Sequence, residues 1–183
     1  MNKRRSIAWM MPVTVLLTGF AVSSTIAKAA EAPDSEQVST LLSDAKTTAF
    51  QLKEDIQTME TFTRMNVSWQ SHAMAINQIK EHVNALGRTE TKLKDARNSA
   101  SPWQKTAIDR ISPFLDELSG YTTAIIEHIN GDKKHTLAQY QDYLEANADY
   151  ASDLCAMITD FVDYGKTRQR LDRLSQKLEI ATK

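Results

Sequence analysis

One cysteine, four prolines and five glycines in 183 residues leave this chain little with which to be stapled, broken or sharply turned. A single Cys155 closes no disulfide within the chain, so a disulfide scaffold is excluded. Cys155 reads as a small buried apolar residue, with an intermolecular bridge as the other reading. Beyond the first thirty residues glycine stands only at 87, 120, 131 and 165, and proline only at 33, 102 and 113. So few breakers favour long helices, and no stretch alternates as a strand does. Catalytic signatures are missing as well: there is no G-x-S-x-G elbow, no phosphate-cradling glycine loop, no H-E-x-x-H pair and no C-x-x-C. The paired Glu-x-x-His helices of di-iron bundles are absent, Asp132-x-x-His135 being a single approximation to half of one. These absences predict a protein that is not an enzyme and carries no cofactor.

A block of positive charge is also lacking outside the extreme N-terminus. There Lys3, Arg4 and Arg5 precede an apolar run from Ile7 to Val22, and Ala27-Lys28-Ala29 fits a small-x-small cleavage site. Residues 1–29 are therefore expected to be a cleaved export signal, of the general or the twin-arginine type, and the protein to be periplasmic or secreted. The apolar run is shorter than the roughly 20 residues a membrane-spanning helix needs, so a membrane role is expected only through an uncleaved signal. Removing residues 1–29 takes four of the 22 basic residues and none of the 23 acidic ones, moving the net charge from −1 to −5. Such a surface argues against nucleic acid as a partner.

The rest, residues 30–183, suits one domain. Val38, Leu42, Ala45, Ala49, Leu52, Ile56 and Met59 recur at alternating four- and three-residue steps, one stripe of a helix with Asp34 and Gln37 as its expected cap. Met65, Trp69, His72, Ile76, Ile79, Val83 and Leu86 repeat the spacing behind a cap at Asn66 or Ser68, one continuous long helix being the rival reading. Ser101-Pro102-Trp103-Gln104 is the clearest start, a capping Ser, a Pro at the first helical position and a capping-box Gln in order. The stripe that follows is Ile108, Ile111, Leu115, Leu118, Ile125 and Ile129, with a kink expected at Pro113 and an end at Asn130-Gly131. A fourth helix is expected to open near Asp132 or Thr136 and to bury Leu137, Tyr140, Leu144, Ala148, Ala151, Leu154, Ile158 and Phe161. The predicted fold is all-α, an up-down-up-down antiparallel four-helix bundle over 30–165 with a longer C-terminal helix.

Two sets of residues stand out as candidate sites. Counted from the turn near residue 100, His72 and His128 share one level of the bundle, and His135, Met59 and Met65 belong to the same end. Imidazole and thioether groups suit copper, zinc or haem, so a metal- or haem-binding bundle is the alternative reading, against the ordinary one of packed histidines and methionine filler. On the fourth helix Tyr143, Tyr150, Met157 and Tyr164 recur every seven residues beside the core column, either a rim around the core or a docking face. Setting Glu60 opposite Leu137 places Asp34 opposite residue 163, so that residues 166–183 overhang as an arm of about 27 Å. That arm is basic and displays Leu171, Leu174, Leu178 and Ile180. Self-association, an external partner, or folding back at Gly165 would each cover those side chains.

The phrases Ala100-Ser101-Pro102-Trp103-Gln104, Thr123-Ala124-Ile125-Ile126-Glu127-His128 and Asp160-Phe161-Val162-Asp163-Tyr164-Gly165-Lys166 resemble those of a family of secreted bacterial helical proteins that has no assigned function. The resemblance covers most of the mature chain and carries no catalytic residues across. The expected function is that of an exported binding or assembly module, with a second copy or another protein as partner and with Tyr143, Tyr150, Tyr164, Leu171, Leu174 and Leu178 as the contact surface.

Overall fold

The computed structural model describes residues 32–65, 67–131 and 138–179. The expected export signal at 1–29, Asn66, His135, Leu137, Ile180 and the expected opening of the last helix at 132–136 lie outside these residues. Four helices follow one another: α1 Glu36–Thr61, α2 Trp69–Ala96, α3 Pro102–Gly131 and α4 Ala138–Leu178, with 3-10 turns at Phe62–Arg64 and Arg97–Ser99. No strand occurs among the described residues. Each helix packs against its chain neighbours and α4 closes the ring on α1, which is the four-helix bundle that the four apolar stripes require. The core is the expected one over most of its length, from Val38 to Met59 on α1 and from Ile76 to Leu86 on α2. Cys155 is buried and unpaired.

Local chemistry sets the helix ends. The N-cap of α1 is Ser35 rather than Asp34: its hydroxyl accepts from the Val38 N–H at 3.4 Å. Asp34 is drawn away by another donor, the Trp103 indole N–H at 2.6 Å. α1 and α2 are separate helices, because the chain leaves the helical conformation after the 3-10 turn and Ser68 opens α2 by accepting from the Ser71 N–H. Met65 falls in that connection and is 60 % exposed, so it does not begin the α2 stripe. At α3 only half of the capping box forms. The Gln104 side-chain oxygen accepts from the Ser101 N–H at 3.0 Å, while the buried Ser101 hydroxyl makes no hydrogen bond. α3 then runs unbroken through Pro113 to Gly131.

The register of α4 differs from the expected one. Lys46 meets Asp163 at 3.2 Å and Gln57 meets Ser152 at 3.5 Å, eleven residues apart on each helix and antiparallel. α1 therefore ends near the level of Ala148 on α4, about two turns short of Tyr140, and Phe62 in the connection covers the Tyr140 level by packing edge-on against His72 at 5.5 Å. At the other end the bundle extends past Gly165: Arg168 lies 3.8 Å from Asp34, and Gln169 shares a surface groove with Glu36 and Thr40. The overhang begins near Arg170, one helical turn later than residue 166. α4 does not fold back at Gly165 but continues to Leu178. Its core column also shifts by one near this end, where Val162 and Gly165 are buried and Phe161 is only partly so.

Candidate functional site

The phrase Ser101 to Gln104 ties three helices together at one end of the bundle. Gln104 is fully buried and uses its whole amide: its oxygen accepts from the Ser35 and Ser101 N–H groups, and its nitrogen donates to the Ser35 carbonyl and the Ser39 hydroxyl, all at 2.9–3.0 Å. Beside it the Trp103 indole donates to Asp34 and lies directly on α4. A methyl group built on Gly165 would sit 2.8 Å from Trp103 Cη2, so the absent side chain is what admits the ring. Tyr164 packs edge-on against the same indole at 5.3 Å, and the Arg168 guanidinium lies 5.8 Å over the Tyr164 ring.

Next to this knot a groove of about 580 Å³ runs between α3 and α4. Trp103, Arg110 and Phe114 form one wall; Asp153, Met157, Asp160, Phe161 and Tyr164 form the other. The Arg110 guanidinium lies 5.9 Å over the Phe161 ring. The groove thus has an aromatic floor, two carboxylates and one cation, and its lining includes no histidine, cysteine or serine. Such a composition can seat an apolar, positively charged surface.

The tyrosine column has α3 partners that the sequence reading did not foresee. Tyr150 sits between Tyr121, stacked at 5.6 Å, and Phe114, edge-on at 6.1 Å. Tyr143 reaches Tyr121 at 6.4 Å and accepts from the Gln139 amide at 2.6 Å. Both are half-buried, whereas Tyr164 is 47 % exposed. Trp103, Arg110, Phe114 and Tyr121 follow one another at steps of seven, four and seven, a second column on α3 that periodicity alone could have exposed. The arm leucines remain open to solvent: Leu171 is 57 %, Leu174 46 % and Leu178 61 % exposed.

His72 and His128 are brought to one partner, Tyr140. The fully buried His72 places Nδ1 2.8 Å from the Tyr140 hydroxyl, and the His128 ring stacks on Tyr140 at 5.1 Å. Burial pushes the Tyr140 hydroxyl far above its ordinary pKa, so it stays a neutral phenol. Met59 is buried in the core and Met65 is exposed. Among the described residues no three histidine, cysteine, aspartate or glutamate side chains gather as a metal site would require, and no helix is long and apolar enough to cross a membrane. No protein-family model matches the chain, and no curated protein or solved structure matches it.

Proposed function

We propose that this chain is an exported, non-catalytic assembly module whose contact surface is the outer column of α4. The export half of the reading rests on the basic, apolar and small-residue pattern of residues 1–29. The assembly half rests on one observation: after Gln169 every described α4 residue is exposed except the half-buried Ser175, yet the helix carries three leucines there at a spacing that forms one stripe. Continuous seven-residue steps join Tyr143, Tyr150, Met157 and Tyr164 to Leu171 and Leu178, so the two candidate surfaces are one column. Scattered apolar residues need no explanation, whereas a continuous stripe on a projecting helix marks an interaction site.

Hydrogen exchange on the chain from residue 30 tests this reading. A projecting helix of about nine residues is marginal in water without tertiary cover, so the arm should exchange at near-random-coil rates in a dilute sample while the segment around Leu154 is protected. Protection should spread into 170–178 when the partner is supplied, by the native extract or by concentration. An arm as protected as Leu154 in a dilute monomer would mean that the leucines are covered within the chain, and the proposal would fail.

A further inference from the structure

The groove and the arm are consecutive on α4 and complementary in chemistry. Met157 and Tyr164 stand on the groove wall, and the same seven-residue steps lead on to Leu171 and Leu178, with Leu174 between. A seven-residue column drifts by only about 20° per repeat on a straight helix, so wall and arm face the same side. The arm fits within the wall's length: the wall from Asp153 to Tyr164 spans about 16 Å and the arm from Arg170 to Leu178 about 12 Å at 1.5 Å per residue. Their charges are opposite. The arm carries Arg170, Arg173 and Lys177 against Asp172, all exposed. The groove carries Asp153 and Asp160, while its cation Arg110 already lies over Phe161.

The arm points away from its own groove along a single helix, so it cannot enter that groove without breaking α4. The arm of a second copy can. If two α4 helices lie antiparallel, an arm set against Asp153–Tyr164 of its neighbour automatically places the neighbour's arm against its own groove, because Gly165 is midway between Asp153 and Leu178. Such an arrangement closes on itself with a two-fold axis and leaves no unmatched surface to propagate. Resting on the assembly reading above, we infer that the occupant of the α3/α4 groove is the basic leucine arm of a second copy, in a reciprocal antiparallel dimer whose axis crosses α4 at Gly165–Lys166.

Charge exchange tests this specifically. One variant of the chain from residue 30 carries Asp153→Lys and Asp160→Lys; the other carries Arg170→Glu, Arg173→Glu and Lys177→Glu. All five positions are exposed, and circular dichroism verifies that both variants fold. The parent chain should sediment as a dimer, and each variant alone should dissociate at concentrations at least about tenfold higher than the parent, since like charges then face each other at both contacts. Mixed together, the two should form a heterodimer in which both contacts regain opposite charge. A parent dimer that neither variant weakens, or two weakened variants that do not pair, would overturn the inference. So would a parent that stays monomeric at about 100 µM, a concentration that populates even weak interfaces. In that last case hydrogen exchange, with and without native extract, decides separately whether some other partner covers the arm.

Discussion

Replacing one glycine by alanine should have opposite effects at two places in this bundle, and the difference isolates the Trp103 contact. Gly120 in α3 and Gly165 in α4 are both inside helices, where alanine is favoured over glycine by about 1 kcal/mol. A methyl group at 120 meets nothing within 4 Å. At 165 it would stand 2.8 Å from Trp103 Cη2, closer than carbon atoms in proteins approach, and a tight 3.1 Å from Cζ2. The indole cannot simply rotate away, since its N–H is held by Asp34 at 2.6 Å and its face is braced by Tyr164. Overpacking of this kind costs about 1–3 kcal/mol, so Gly165→Ala should fall below Gly120→Ala by that amount once the shared propensity gain cancels. In a chain of this size each kcal/mol moves the melting temperature by about 2–4 °C, so urea and thermal unfolding both resolve the gap. A double-mutant cycle with Trp103→Phe sharpens the test: the smaller ring should remove most of the penalty at 165. Equal stabilisation by the two alanines, or additivity in the cycle, would refute the account of Gly165 as the seat of the indole.

Gln104→Ala should cost at least about 2 kcal/mol in urea unfolding, because it strips buried hydrogen-bond partners from the Ser35 and Ser101 backbones at once. Tyr140→Phe, which keeps the ring stacked on His128 but removes the hydroxyl from His72 Nδ1, should cost about 1–2 kcal/mol. The Arg97 guanidinium donates two hydrogen bonds to Asp109, at 2.7 and 2.8 Å, and these hold the Asp109 carboxyl below its ordinary pKa. A folded-state pKa lowered in this way contributes stability above the unfolded value, lost as pH falls through the folded one, so Asp109→Asn should lower stability slightly at neutral pH, where this exposed pair is screened by solvent, and should match the parent once acid has protonated Asp109, leaving a shallower loss of stability below about pH 4.

The core was legible because burial on a helix obeys one period. Val38 to Met59 and Ile76 to Leu86 could be assigned from spacing alone, Ser68 stood as one of two candidate caps with Asn66, and the Gln104 half of the capping box followed from side-chain chemistry at fixed offsets. The register between helices was not legible in the same way, since a stripe says which face is buried but not how far along its neighbour it lies. The assumption that α1 ends level with the start of α4 failed because Phe62 in the connection, and not α1 itself, covers the level of Tyr140. Contacts between helices escaped for the same reason. Nothing local in Asp34, Trp103 or Gly165 announces that positions 69 and 62 residues apart in the chain meet, and the displacement of the α1 cap to Ser35 is a consequence of that meeting.

The energetics of the arm favour a reciprocal contact over a single one. Leu171, Leu174 and Leu178 together still expose about one and a half leucine side chains, and full burial of a leucine is worth about 1.5–3 kcal/mol, so one docked arm supplies roughly 2–5 kcal/mol. Association costs about 4–15 kcal/mol in lost freedom before any contact is counted. One arm in one groove therefore falls near or below the cost of association, whereas two arms in two grooves share a single such cost and double the gain. A chain ended at residue 169 mixed with the full chain offers one arm and two grooves. It should form no heterodimer at concentrations where the full chain pairs with itself, as read by sedimentation or native mass spectrometry. A mixed dimer as stable as the parent would show that the arms contribute nothing and that the outer face of α4 below Gly165 holds the two copies together.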